Sequence, residues 1–184
     1  MGVSAHVVLA GAMMLAGSLV PAVAQDRDAA RLAAASIELC KHAQTLPADE
    51  GRALLRRGLA LAERAVERDD QDGRAQFAVF CNLGKLVELH GIGWGTFSDV
   101  RRVREAADRA VALAPDDVDA LVGRGALLLR LPRFLGGDHQ EAESCLVRAL
   151  RLDPWHSVAR AFLEGLRQDR AAVGSALSSA LRAD

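Results

Sequence analysis

The sequence contains few aromatic residues and few lysines. Aromatic residues make up 4% of its 184 residues, and tyrosine is absent. Ala and Leu therefore supply most of the 51% hydrophobic content, which favours helices because aromatic and β-branched residues are the usual strand formers. Lysine occurs only at Lys41 and Lys85, and the formal net charge is −1. This balance argues against nucleic acid or an acidic lipid surface as the partner.

The sequence also lacks the motifs of a catalytic or metal site. His139 and Glu141 form an HxE pair, but the PCxxC motif that completes a zinc deaminase site is absent. The glycines of the 91–95 segment follow no strand, so they do not form a dinucleotide fingerprint. We therefore predict no enzyme activity, no cofactor and no metal. An enzyme with an unrecognised site is the least favoured alternative.

Three cysteines, Cys40, Cys81 and Cys145, form no CxxC motif and no metal-ligand spacing with histidine. Each lies in a helical pattern among apolar residues, so the favoured interpretation is three small buried side chains. A disulfide is the alternative. Cys40 and Cys81 are the first pair to test, because both lie in the N-terminal half.

The first 24 residues have the order of a secretory signal. An uncharged apolar run at 7–20 precedes Pro21, the small-residue site at 22–24 and a charged segment, although residues 1–6 contain no Lys or Arg. We predict that residues 1–24 are a signal peptide and that residues 25–184 form one domain, periplasmic or secreted. Cleavage would leave no stable membrane span. An uncleaved anchor is the alternative, but Pro21 acts as a helix breaker before the run reaches the roughly 20 residues of a span.

Helical periodicity and turn residues predict eight helices in the rest of the chain. Asp138 and Glu141 match a capping box, and Thr96 or Ser98 is a candidate N-cap after the Gly-Trp loop at 91–99. The predicted segments are 26–45, a second that starts within 46–50 and ends near 68, 74–90, 99–113, 117–130, 138–154, 157–168 and a weak 171–181.

A repeated register connects these helices. Three helix ends carry an Arg-Ala pair, followed five residues later by Asp or Pro and five residues after that by Ala. The offsets between successive copies are 45 and 39 residues. Small Ala allows helices to pack closely, and Pro or Asp ends one helix before the next begins. This register indicates stacked helix pairs. Its alanines are Ala65, Ala75, Ala110, Ala120, Ala149 and Ala159.

These features resemble the tetratricopeptide repeat (TPR) superfamily, whose period is about 34 residues. Ala142, Leu146 and Pro154 match its A-x3-F…P pattern, and Gly125 takes the glycine place of W-x2-L-G-x2-Y, whereas Arg124 replaces the Leu. The resemblance implies an all-α TPR-like α-solenoid of antiparallel helix pairs, with about three to four repeats and lengthened turns. The turn at 132–138 is similar to that of extended periplasmic TPR proteins, such as the TPR subunit associated with TRAP-type transporters.

The family binds peptides or proteins along a concave face made by the first helix of each repeat. The resemblance therefore implies an exported scaffold with a mostly apolar face that binds a protein or peptide, for which a transporter or envelope complex is a candidate. The Lys and Asn carboxylate clamp is absent, which disfavours an acidic C-terminal tail. The alternative is a solute-binding or transporter-accessory component that uses the groove as a small-molecule pocket. The matching concave positions are Arg74, Phe77, Cys81, Asp119, Val122, Ala126 and Leu129.

Some exposed or charged residues have two interpretations. Trp94, Phe97 and Phe134 either fold back on a neighbouring repeat, which is favoured for the first two, or anchor a partner. Trp155 is predicted to pack between the last repeats. A cluster of arginines is either an anion patch or, as favoured, a solvated helix face paired with Glu105 and Asp108. These arginines are Arg101, Arg102, Arg104 and Arg109.

Overall fold

A computed structural model describes residues 19–90 and 97–180, with side chains described for 26–90, 97–173 and 175. These residues form seven α-helices, one short 3-10 helix and no strand, so the all-α prediction is confirmed. The α-helices are α1 (Leu19–Ala43), α2 (Ala48–Arg68), α3 (Gly73–His90), α4 (Phe97–Leu113), α5 (Val118–Arg130), α6 (His139–Leu152) and α7 (Ser157–Ala180), and the 3-10 helix is Arg133–Leu135.

The helices stack as three pairs and a closing helix. α1 packs on α2, α3 on α4 and α5 on α6, while α7 packs mainly on α6. A short turn joins α1 to α2, and the longer segment 131–138, which contains the 3-10 helix, joins α5 to α6, so both pairs are antiparallel helix hairpins. α1 also packs along α3, but α3 and α5 make few or no close backbone contacts. The gap between α3 and α5 opens the concave side of the solenoid.

The six alanines of the repeated register are all in the core, each at most 2% exposed. Gly125 has a matching role, because a Cβ atom there would lie 2.9 Å from Leu146 Cγ. The glycine therefore allows α5 and α6 to approach at the TPR signature positions. Small residues therefore allow close helix packing at these positions.

Polar side chains define two of the helix starts. The Asp117 carboxylate accepts from Ala120 N at 3.0 Å, and Asp138 accepts from the backbone of Gln140 and Glu141 at 2.8 and 3.0 Å. The predicted cap at Asp138 is confirmed. The reciprocal half of the predicted capping box is not formed, because the Glu141 carboxylate pairs with Arg124 instead.

Two predictions about helix ends are wrong, and one of two candidate N-cap residues is excluded. α7 runs unbroken through residues 168–171, so the seventh and eighth predicted segments are one helix. Pro21 lies inside α1, so the helix does not break at this residue. Ser98 lies within α4 and therefore does not cap it, while Thr96, the other candidate, lies outside the described residues.

Cys40 and Cys81 form a disulfide, so the favoured interpretation of three unpaired cysteines is wrong for this pair. The packing of α1 along α3 brings the two Cα atoms to 6.3 Å, within the range that a disulfide spans. Cys145 is a buried free thiol, as predicted.

A buried polar cluster lies beside the disulfide. The Asn82 side-chain amide donates to Ser36 Oγ at 2.9 Å and to Ala78 O at 2.9 Å, and Ser36 Oγ donates to Gly58 O at 2.8 Å. The cluster therefore connects α1, α2 and α3. Gly58 leaves no room for a side chain, because a Cβ atom there would lie 2.1 Å from Asn82 Oδ1.

Candidate partner-binding groove

A groove of about 730 Å³ lies between α3, α5 and the first half of α7. Helical spacing places its residues in two facing rows. The row on α3 contains Phe77, Phe80, Cys81, Gly84, Lys85, Val87 and Glu88. The row on α5 contains Asp119, Val122, Gly123, Ala126, Leu127 and Arg130. Val158 and Phe162 on α7, Val100 and Val103 on α4, and Gln44, Leu131 and His156 complete the wall.

Small residues give the groove its depth. Gly84, Gly123 and Ala126 contribute little or no side chain, so the groove reaches down to the buried Val103 of α4. A Cβ atom on Gly123 would lie 2.5 Å from the Phe80 ring, which packs directly on that backbone. A Cβ atom on Gly84 would meet Val103 Cγ1 at 3.6 Å, an ordinary contact. Gly84 is therefore the glycine position where a side chain could fill the groove.

Acidic groups predominate where α3 and α5 begin. Arg74 lies 2.8 Å from Asp117 and 3.6 Å from Asp119, and its guanidinium carbon lies 5.8 Å from the centre of the Phe77 ring. Burial lowers the pKa of Arg74, but the hydrogen bond and charge of Asp117, together with Asp119, outweigh it and leave the pKa raised. Arg74 therefore stays charged, and it pairs more closely with Asp117 than with Asp119.

Basic groups predominate where α3 and α5 end. Glu88 lies 2.8 Å from Lys85 and 3.0 Å from Arg130. The hydrogen bond from Lys85 lowers the pKa of Glu88, burial opposes this effect, and the charges of Lys85 and Arg130 lower the pKa further. One carboxylate is therefore shared by two cations.

Five of the seven concave residues predicted from sequence line the groove, namely Phe77, Cys81, Asp119, Val122 and Ala126. Arg74 lies at its edge through its ion pair with Asp119. Leu129 does not line it and packs instead on the core cluster that contains Leu121 and Leu146. Cys81 contributes a disulfide sulfur rather than a thiol. Whether these residues bind a partner stays a prediction.

The sequence reasoning missed several groove residues. The α5 row continues from Ala126 to Arg130 at the same helical spacing, so extending the register by four residues instead of three would have found it. Gly84 lies one turn beyond Phe80 and could have been found in the same way. No sequence signal marked Gln44, which reaches the groove only because α1 ends beside α3.

Two of the three candidate loop anchors, Phe97 and Phe134, do not line the groove. Phe134 is 81% exposed in the 3-10 helix and Phe97 is 50% exposed at the start of α4. Trp94 lies outside the described residues. Trp155, which was predicted to pack between repeats, is 83% exposed, and the Arg160 guanidinium lies 5.7 Å from its ring centre. The turn that follows Pro154 leaves this ring on the surface.

The arginine-rich face of α4 is a paired, solvated surface, as favoured from sequence. Each of its four arginines lies at ion-pair distance from a carboxylate, and all four are partly exposed. The pairs are Arg101–Glu105, Arg102–Glu63, Arg104–Asp108 and Arg109–Asp70. This face therefore offers no unpaired cluster for an anion.

Neither a metal site nor a membrane span is found in the part of the chain that the structure describes. No group of three or more His, Cys, Asp or Glu side chains there could hold a metal ion. No helix of that part combines the length and apolar character needed to cross a bilayer.

Comparison with known proteins identifies the fold. No family model and no curated protein matches the sequence. Among solved structures, the chain is similar to the first TPR domain of Spaghetti (RPAP3) bound to the HSP90 peptide SRMEEVD. The identity is 16% and the TM-score 0.50, and the match covers 76% of this chain and 95% of that one. The fold is a TPR-like α-solenoid, as predicted. The closer resemblance to the TRAP-associated subunit stays a prediction.

Proposed function

We propose that this TPR-like solenoid is an exported scaffold that binds a segment of a protein partner in the groove between α3 and α5. The observation that carries the proposal is the groove itself, an apolar channel on the face that TPR folds use for recognition. The similar RPAP3 domain was solved with a peptide, which supports a protein or peptide partner here. A binding role, rather than catalysis, accounts for these features.

The partner segment is mainly apolar. Phenylalanines and valines dominate the groove wall, and each charged side chain that lines it is ion-paired with another residue of this chain. A carboxylate-rich peptide such as SRMEEVD would have to compete for those cations. Burial of apolar surface, worth roughly 25 cal/mol per Å², is therefore the main source of affinity.

Two features support export. The first 24 residues have the order of a secretory signal. The Cys40–Cys81 disulfide would persist in an oxidising compartment such as the periplasm, whereas the cytosol keeps most thiols reduced. N-terminal sequencing of the protein recovered from the periplasm, with alkylation of free thiols, tests both. We expect a chain that begins at Gln25 and carries one alkylated cysteine. A cytosolic chain that begins at Met1 with three alkylated cysteines would contradict export.

The binding proposal is tested by filling the groove. Gly84→Leu places a side chain in the channel, whereas Gly165→Leu adds the same side chain on α7, where a Cβ atom meets no atom within 4 Å. A photo-crosslinking residue is placed at Val122, in the groove, and at Arg56, on the exposed side of α2. We expect one protein to crosslink from Val122 but not from Arg56.

The expected crosslink disappears in Gly84→Leu and persists in Gly165→Leu. The same crosslink from both positions, or one that survives Gly84→Leu, would overturn the groove as the binding site. Circular dichroism of both variants shows whether the fold is kept.

A small-molecule pocket is the second candidate, because the groove volume of about 730 Å³ lies within the range of roughly 300–1,000 Å³ that ligand pockets occupy. Native mass spectrometry of the purified protein distinguishes the two. A bound apolar solute that Gly84→Leu removes, with no protein crosslinked from Val122, would favour the pocket over the scaffold.

A further inference from the structure

We propose that the groove is electrically polarised and selects a segment with an apolar centre, a basic residue at one flank and an acidic residue at the other. The inference rests on the proposed function and defines the chemistry of the partner. Its basis is a pair of charges, Asp119 and Arg130, that lie at opposite ends of the same row on α5 and are incompletely neutralised.

At the end of the groove where α3 and α5 begin, Asp119 is the acidic side chain that a partner can reach. The nearest cation, Arg74, lies closer to Asp117, at 2.8 Å against 3.6 Å for Asp119. The Asp117 side chain is 12% exposed and also accepts the Ala120 N–H, so it is engaged within the protein. The Asp119 side chain is 43% exposed and lines the groove. These two acids and Arg74 leave a net charge of −1, carried mainly by Asp119.

At the end of the groove where α3 and α5 end, Arg130 is the basic side chain that a partner can reach. Lys85 and Arg130 share the single carboxylate of Glu88, which leaves a net charge of +1. Lys85 is the closer and the less exposed of the two cations, at 2.8 Å and 33% exposed. The Arg130 side chain lies 3.0 Å from Glu88 and is 57% exposed. Arg130 therefore presents the excess positive charge to a partner.

The distance between the two ends sets the length of the partner segment. Asp119 and Arg130 are separated by eleven residues of α5, which is about 17 Å along the helix axis. An extended peptide advances roughly 3.3 Å per residue, so two side chains about five positions apart span the same distance. The expected segment therefore has about four apolar residues between its basic and acidic flanks, with the basic flank beside Asp119.

The test uses synthetic peptides with blocked termini, four central Val and Leu residues and a charged residue at each flank. Four peptides combine Lys and Glu at the flanks in every order. Affinity for the full mature chain is measured by fluorescence anisotropy at low ionic strength. We expect at least one of the two bipolar peptides to bind about three- to tenfold more tightly than both like-charged peptides, with a smaller ratio at high salt.

Charge reversal then assigns each end. Asp119→Lys is expected to transfer the preference to the peptide with two Glu flanks, and Arg130→Glu to the peptide with two Lys flanks. Glu67→Lys and Arg151→Glu make the same changes at exposed positions outside the groove, and the bipolar preference should be unchanged in them.

The outcomes separate this inference from the proposed function. Equal binding of all four peptides, abolished by Gly84→Leu, would overturn the polarity and keep the groove as a binding site. A bipolar preference that both reversals leave unchanged would also overturn the assignment to Asp119 and Arg130. No binding of any peptide at millimolar concentration would overturn both proposals.

Discussion

Reduction of the Cys40–Cys81 disulfide is expected to remove a large part of the stability of the solenoid. The bond connects residues 41 positions apart. The chain-entropy relation gives about 4 kcal/mol at 25 °C for a loop of this length, because the crosslink limits the unfolded ensemble. The whole free energy of unfolding of a domain is typically about 5–15 kcal/mol. The loss should therefore be obvious in an equilibrium measurement.

The assay is urea denaturation of the mature oxidised protein with and without a phosphine reductant, followed by circular dichroism. We expect the free energy of unfolding to fall by about 4 kcal/mol on reduction. Cys145→Ala, which removes only the buried free thiol, should show the same response to reductant. The double variant Cys40→Ala, Cys81→Ala should show none.

A change below about 1 kcal/mol, with mass spectrometry confirming that both cysteines are reduced, would refute the loop-entropy reasoning. It would mean that α1 remains packed on α3 in the unfolded ensemble or that the crosslink strains the native packing by a compensating amount. A response in the double variant would show that the reductant acts elsewhere on the protein.

Three further predictions concern single residues. Gly165→Ala should raise the free energy of unfolding by about 0.5–1 kcal/mol in urea denaturation, since the new methyl meets no neighbour and Ala favours the helix; a fall would contradict this. Arg124→Met removes a guanidinium that lies 2.7 Å from Asp108 and 2.5 Å from Glu141. Because both acids are partly exposed, we expect a loss of about 1–2 kcal/mol that shrinks at 1 M salt; an equal loss at both salt concentrations would exclude an electrostatic origin. Hydrogen bonds from the backbone of the α6 first turn lower the pKa of Asp138, so its charge stabilises the fold fully above its ordinary pKa and less as pH falls through the folded value. The stability difference between wild type and Asp138→Asn should therefore be widest near neutral pH and should narrow as the pH falls below the ordinary pKa of an aspartate toward the lower folded value; a pH-independent difference would show that the charge of Asp138 does not contribute.

The solenoid could be predicted because its local signals agree with its packing. The register of Ala65, Ala110 and Ala149 marks positions where helices touch, and all three side chains are fully buried. Asp138 supplies a cap that needs only its own backbone neighbours. Such features depend on residues a few positions apart, and sequence patterns report these distances well.

Features that depend on distant residues could not be predicted in the same way. The pairing of Cys40 with Cys81 requires α1 to run along α3, which no spacing of 41 residues reveals. The sequence pattern predicts a break at 168–171 because the apolar periodicity is weak there. The helix α7 continues through these residues, since no Gly or Pro interrupts them. Trp155 is exposed despite its size, because its position depends on the turn between α6 and α7.

The candidate groove could be predicted only in part, because some of its residues follow the repeat register and others depend on contacts between distant residues. The TPR register correctly placed Phe77, Val122 and Ala126 on one face. The width of the groove depends on how far α3 and α5 are spread apart, and that distance depends on packing between helices that are distant in the sequence. The repeat register therefore identified the face of the groove and Asp119 at one end, but not the other end, where Lys85 and Arg130 lie.

The covalent bond and the buried Ser36–Asn82 cluster both lie in the first three helices, which has a consequence for how the solenoid opens. In a stacked array, each unit is stabilised mainly by its neighbours, so unequal junctions unfold at unequal free energies. Amide hydrogens of α3 should therefore exchange with solvent more slowly than those of α7, whose residues 167–173 are all exposed. The groove is lined by α3, which belongs to the crosslinked part, and by α5 and α7, which lie outside it. A bound partner would therefore hold α5 and α7 against α3 and should slow hydrogen exchange most in α5 and α7.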